Sequence, residues 1–441
     1  MKRLLSLLLC AVLALFCATT AQAAGVSITL TASEYALHYA FDAGAQDPFV
    51  ILEYTTPAEK GWMMLYSEDG HFEGDVSLAY SGAGGKTSVA LTSARTTGSI
   101  GKASTTLPKA ADYQKPTGKS NAKVTDFVLT ETPEGFHYAF NAIGTDYMLL
   151  YWRSKEQTVT QPVYPDENGH YEGDVVSELT FARTQFTVQV KSGSGSMKKE
   201  ATVRKGYQAP EAPQRQEGRL SGVTVCIDAG HQENGRFVNE PIGPGLTGST
   251  SGKGGMAQGT KTNRRESIVC LEIGMLLRDE LLRQGANVIM TREDQTTFHT
   301  NIERCEIAEA GGAQIMLRLH CNNSSNRRKR GIQVYGPLNS DYAKAVADAD
   351  TYREMGQKLL DAMKTRVGMT LANSTGMVRL NDNYVGNNWA KMMCFLVEMG
   401  YLSNPAEEYL LVTPVYQQWL AEGMADGVYE IAVARGWVQA Q

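Results

Sequence analysis

The chain reads as a multidomain protein: two duplicated all-β, sandwich-like modules followed by an α/β domain with a mostly parallel sheet. Three observations predict this. Two landmarks recur at one offset in the first half, apolar strand runs alternate with helical periodicity in the second, and a Pro-rich polar stretch parts the two. At 441 residues there is room for two or three domains. Hydrophobic content of 42 % and charged content of 20 % are those of ordinary globular protein, and a formal charge of -5 leaves no basic footprint for nucleic acid.

The first element is MKRLLSLLLCAVLALFCATTAQAA: Lys2 and Arg3, an apolar run, then Ala21-Gln22-Ala23. That is the layout of a signal peptide over residues 1–23, too short and wrongly flanked for a membrane span. Phe16 beside Cys17 argues against a lipid-attachment box, so a released, exported chain is expected. Losing Lys2 and Arg3 takes the formal charge from -5 to -7. Five cysteines then remain, Cys226, Cys270, Cys305, Cys321 and Cys394, all in the second half. An odd number so placed spells no disulfide framework, and burial as small hydrophobes is the expectation. No other apolar run is long enough to span a bilayer.

Next come the repeats. LTASEYALHYAF (30–41) returns as LTETPEGFHYAF (129–140), and GHFEGDV (70–76) as GHYEGDV (169–175). Subtracting 38 from 137 and 71 from 170 gives 99 both times, so one module has been duplicated, over 24–110 and 122–205. Short alternating runs such as FVILEY and FTVQVK, broken by Gly, Asp and Asn turns, read as a β-sandwich. The repeated histidines suggest a metal at first sight. Without further clustering of ligand types, a His beside Tyr or Phe on a strand reads better as packing.

GYQAPEAPQRQEGR lacks apolar periodicity and reads as a linker, assigned to 206–220. The domain beyond it, 221–441, opens with the buried strand VTVCIDAG (223–230). A helix follows over 265–284, with Ile268, Leu271, Met275 and Leu281 at helical spacing and Gly285 closing it. Then come strand ANVIMTR (286–292), helix NIERCEIAEAG (301–311), strand QIMLRLH (314–320) and strand GIQVYG (331–336). A long helix over 341–366, the strand FLVEMG (395–400) and closing helices complete the domain. Strands alternating with helices imply βαβ units with right-handed crossovers.

In such sheets ligands bind beyond the carboxyl ends of the strands. His231 follows the first strand, His320 ends IMLRL, Glu398 ends CFLV, and Glu266 opens the long helix on that same edge. Each has an ordinary explanation: a lone His at a strand end is more often structural, and Glu266 is a first-turn acid favoured by the helix dipole. Glu398 is harder to dismiss, because a carboxylate in an apolar strand is costly unless paired or functional. Together, two histidines and a carboxylate leaving one position open make a catalytic zinc set, with a further carboxylate to take a proton from water.

The motifs then become specific. IDAGH (227–231), Glu266, TRED (291–294), HCN (320–322) and LVEMGYLSN (396–404) fall in one order over half the chain. That half resembles the zinc-dependent N-acetylmuramoyl-L-alanine amidases, bacterial wall hydrolases with a phosphorylase/hydrolase-like fold. The resemblance implies one Zn2+ per catalytic domain held by His231, Glu266 and His320, with Glu398 as the catalytic carboxylate. It implies a secreted or wall-associated hydrolase of peptidoglycan, cutting the amide between N-acetylmuramic acid and L-alanine of the stem peptide. Asp228 reads as a partner of the ligand set or, better, as a turn residue. Cys321 as nucleophile would need a base and an orienting group, and on an extended segment it should point away from His320.

Departures from the pattern leave alternatives. From His231 to Glu266 is 266 minus 231, or 35 positions, longer than the family interval, and the Gly-, Ser- and Thr-rich stretch within it is either a flap or a tolerated insertion. Glu233 and Glu240 lie there as rival carboxylates. RRKR (327–330) reads as a solvated face, or as a contact for stem-peptide carboxylates or anionic polymers. Trp389, after Asn388, serves a groove wall or the core. The front modules bind wall polymers or act as spacers. Two other functions compete: a zinc peptidase acting within the stem peptide, and a non-catalytic wall-binding protein on an amidase-like fold.

Overall fold

The computed structural model describes residues 19–440 apart from 23–25, 34–35, 58–59, 79–83, 97, 110–121, 133–134, 146–147, 154–157, 177–183, 193–196, 206–209, 233–237, 251–254 and 368–376. It divides into two compact units, the second made chiefly of Arg204–Gln441. Most of the expected signal peptide lies outside the described residues; Thr19–Gln22 pairs antiparallel with Ser27–Leu30.

The first unit is all-β and antiparallel. One pair of sheets spans Thr19–Leu107 and the other Lys123–Lys205. Ala36–Asp42 shows why: Leu37, Tyr39 and Phe41 point inward in alternation while His38 and Ala40 point out, as a strand's two-residue period dictates. Each pair of sheets closes over its own apolar cluster, one holding Leu37, Phe41, Leu52 and Leu91, the other Phe136, Phe140, Leu150 and Val188. The duplication extends to register: His38 stands opposite Asp75, and His137 opposite Asp174. Packing was the expectation for these histidines, and the structure corrects it. They sit on the outer face, His38 Nδ1 3.1 Å from Asp75 Oδ1 and His137 Nδ1 2.9 Å from Asp174 Oδ1. The apolar neighbours in sequence take the inward positions, leaving the histidines outward by alternation.

In the second unit we number elements afresh: β1 (Thr224–Ala229), α1 (Glu266–Arg283), β2 (Asn287–Met290), α2 (Asn301–Ala310), β3 (Ile315–Asn322), β4 (Gln333–Gly336), α3 (Asp341–Val346), α4 (Ala349–Val367), β5 (Met377–Leu380), α5 (Val385–Trp389), β6 (Met393–Tyr401), α6 (Pro405–Leu411) and α7 (Pro414–Ala434). The sheet runs β2-β1-β3-β6-β4-β5. Its first four strands are parallel, but β4 is antiparallel to β6, so the sheet is mixed. A parallel return needs a crossover of about a dozen residues or more, usually helical. The stretch 323–332 between β3 and β4 has no helix to provide one.

β1, β3 and β6 are buried almost throughout, which accounts for their continuous apolar runs. α1 is buried on most of its surface. Thr300 and Glu303 form a capping box that fixes the start of α2. The single helix expected over 341–366 is two, parted where Ala347 turns extended. The described part of the expected linker is tied down: Gln216 N–H donates to Leu282 O, Arg215 to Gly285 O, and Leu220 is buried. The five cysteines of the second unit are buried free thiols. Among the described residues no helix is long and apolar enough to cross a membrane.

Candidate metal centre

The carboxyl ends of β1, β3 and β6 meet at one edge. Along the parallel pair β3–β6, His320 lies directly opposite Glu398. Beyond β1, Gly230 N–H donates to Leu319 O at 2.9 Å, and a Cβ on Gly230 would stand 2.5 Å from that oxygen and 2.6 Å from the His320 ring. Only glycine lets the chain pass so close. His231 then takes a left-handed backbone (φ 58°), an uncommon geometry for a non-glycine residue, which turns its ring toward β3. The two imidazole centroids are 4.9 Å apart.

Glu266, the first residue of α1, sits between them. Its Oε1 lies 3.2 Å from His231 Nε2 and 3.0 Å from His320 Nδ1, and also accepts the Cys321 N–H at 3.0 Å. Its Oε2 accepts the Ala257 N–H at 2.7 Å. Burial alone would raise its proton affinity, yet hydrogen bonds to both histidines hold the carboxyl well below the usual range. Burial likewise lowers the proton affinity of His320, in spite of Glu266. Glu398 has no such help: burial and the nearby Glu266 charge push it up to about 8.

These four residues line one cleft of about 900 Å³. Ligand-type atoms of His231, Glu266 and His320 all lie within 4.8 Å of one another. Two buried polar atoms in the cleft, His320 Nε2 and Glu398 Oε2, have no partner among the described residues. Unsatisfied buried groups are costly, and a cation with an attached water would satisfy both kinds of atom. Two imidazoles and one carboxylate around a further open position suit zinc. The donor set fits the metal.

Asp228 corrects the turn-residue reading. It is fully buried, 2.5 Å from Arg304 Nη1 and 2.8 Å from Arg318 Nε, and accepts the Thr291 hydroxyl at 2.7 Å. Burial would raise its carboxyl, but the two guanidinium groups hold it well below the ordinary range. Arg292, also buried, donates to the carbonyls of Ala229, Gly230 and Ser267, and Arg304 reaches the carbonyl of His231. Thr291, Arg292 and Arg304 thus brace the turn that presents His231. The quoted TRED pattern held two of them, but nothing in the sequence assigned them that task.

The rival carboxylates part ways. Glu240 accepts the N–H groups of Asn301 and Ile302 and caps α2, so it is engaged away from the cluster. Glu233 lies outside the described residues. Parts of the long stretch before Glu266 are anchored: backbone N–H groups of Lys261 and Thr262 donate to the buried Glu408, and Trp389 Nε1 donates to Pro241 O. Trp389 is absent from the cleft lining and packs instead against the apolar cluster of Cys305, Met316 and Met392, the core alternative. Cys321 is buried with its thiol beside Cys270, and burial raises that thiol's pKa well above the ordinary value, unlike a nucleophile.

Residues 225–430 match the family model for N-acetylmuramoyl-L-alanine amidase. A germination-specific N-acetylmuramoyl-L-alanine amidase of Bacillus subtilis is 26 % identical over 231 residues, covering 49 % of this chain and 83 % of that protein. The probable cell wall amidase LytH of Staphylococcus aureus is 27 % identical over 218 residues, covering 48 % of this chain and 60 % of its own length. Among solved structures, an N-acetylmuramoyl-L-alanine amidase from Clostridium difficile 630 matches at 23 % identity and a TM-score of 0.38, covering 48 % of this chain and 96 % of that one. The likeness to N-acetylmuramoyl-L-alanine amidases thus lies in the C-terminal half of the chain.

Proposed function

We propose that this amidase domain, over 221–441, is a zinc enzyme that hydrolyses the amide between N-acetylmuramic acid and the L-alanine of the stem peptide. The observation that carries the reading is the convergence of His231, Glu266, His320 and Glu398 in one cleft. His231, Glu266 and His320 would hold the ion. Zinc there supplies a Lewis acid that polarises a carbonyl and lowers the pKa of water. Ala257 N–H and Cys321 N–H fix the Glu266 carboxylate, so its orientation is set by backbone.

Glu398 does the proton work. As carboxylate it removes a proton while the water oxygen bonds to the amide carbon. As acid it returns that proton to the nitrogen when the carbon–nitrogen bond breaks, releasing the amine of L-alanine. Burial suits it to this, since raised proton affinity lets it hold the proton between the two halves of the step.

The chain would reach its substrate by export, with residues 1–23 removed. The two front modules, read as duplicated sandwiches over 24–110 and 122–205, would hold the enzyme at the wall by binding a wall polymer. Mass spectrometry of products tests the reading. Digested peptidoglycan should yield free stem peptides beginning with L-alanine, and new amines inside the stem peptide with intact lactyl amides would refute it.

A further inference from the structure

A second cavity, of about 450 Å³, adjoins the catalytic cleft and shares Asn322 and Asn323 with it. Four of its ten lining residues are cationic, Arg328, Lys329, Arg330 and Arg379, and none carries a carboxylate. That is a reversal of sign in a chain with a formal charge of -5. The backbone that carries three of these cations is held in place. Lys329 N–H donates to Asn326 O, Arg328 N–H to Asn326 Oδ1, and the buried Asn404 amide donates to the carbonyls of Arg327 and Lys329. Gln333 in the same wall accepts from Tyr335 Oη, Asn322 Nδ2 and Tyr401 Oη.

Asn322 is two residues past His320 on an extended strand, so the cavity begins about 7 Å from the proposed metal ligand. In the proposed substrate the lactyl carboxyl is consumed in the amide, which leaves the sugar side without that charge. The peptide side keeps at least its terminal carboxylate. Cations in a concave wall recognise carboxylates through charge-assisted hydrogen bonds, which Arg makes in bidentate form.

We propose that this cavity is the subsite for the carboxylates of the stem peptide, so that the leaving amine and its peptide lie toward Arg328 and Lys329. The assignment rests on the amidase reading, and its test is separable from it. Calorimetry on the mature protein would measure binding of the released stem peptide, once with free carboxylates and once with them amidated. Neither compound can be cleaved at the lactyl amide. The parent should prefer the free acid about tenfold, by charge complementarity, and the preference should shrink as salt is raised. In R328Q/K329Q the ratio should fall toward one, while K344Q, at an exposed cation elsewhere, keeps it. A parent without preference, or a double variant that keeps it, overturns the proposal. So does a poly(glycerol phosphate) that loses about tenfold in affinity in R328Q/K329Q while the peptide ratio is unchanged, for the cavity then serves a phosphate polymer. Failure of the amidase reading looks different: an intact muramoyl peptide stays uncleaved even when the ratio behaves as stated.

Discussion

Glu398, half-buried, and Asp228, fully buried, are carboxylates near one sheet edge, and their surroundings differ in kind. Glu398 faces a cleft with one oxygen unpartnered among the described residues, whereas Asp228 is locked between two guanidinium groups. Glu398→Gln should lower kcat by about 100-fold or more, as loss of a general base does, while bound zinc stays at parental level by metal analysis. His320→Ala should lose the zinc itself. Asp228→Asn strands Arg304 and Arg318, and urea denaturation should record a loss of about 3–5 kcal/mol. The pH dependence has a definite sign. A depressed carboxyl stabilises the fold above its unfolded pKa, about 4, and the contribution is lost as pH falls through the folded value. The gap between parent and Asp228→Asn should therefore be widest above pH of about 4 and narrow in acid. From sequence, Glu398 stood out because a charge interrupts an apolar strand. Asp228 did not, since its two arginine partners lie 304 minus 228 and 318 minus 228, or 76 and 90, positions away.

At the scale of elements, the long stretch between β1 and α1 behaves as an anchored strap wherever it is described. Glu408, at the start of α6, accepts the N–H groups of Lys261 and Thr262 and the hydroxyls of Thr260 and Thr262. Ala257 in the same stretch donates to Glu266. Glu408→Ala should free the strap, with loss of about 1–3 kcal/mol of local stability. Hydrogen exchange at Lys261 and Thr262 should then speed up, and turnover should fall because Glu266 loses a fixed donor. Unchanged exchange would refute the strap. The sequence carried the long helices and the buried strands, whose periodicity is strong, but it ran α3 and α4 together and missed the short α5. It did not carry β5, four residues on the sheet edge with Arg379 exposed, nor the antiparallel β4, whose direction depends on a connection too short for a crossover.

For the whole molecule, each of the two units has apolar clusters of its own, so the second should fold and act without the first. A chain beginning at Pro210 keeps the contacts of Gln216 with Leu282 and of Leu220 with Gln284, and should retain kcat/KM on a soluble muramoyl peptide. It should bind intact sacculi at least tenfold more weakly if the front modules hold the wall. Equal binding would make them spacers. The duplication was visible because two landmarks kept one offset, and the shared register of His38 with Asp75 and His137 with Asp174 extends it. No motif assigns the outer faces of those sheets a ligand, since exposed cross-strand pairs carry little energy and little constraint.

The most direct measurement is a zinc titration of metal-stripped mature protein, following bound zinc and released L-alanine-terminated stem peptide together. Release should rise in proportion to zinc and stop rising at one ion per chain, with Glu398→Gln binding the same ion and releasing nothing. Full release from the stripped protein, or equal release by Glu398→Gln, would contradict the account.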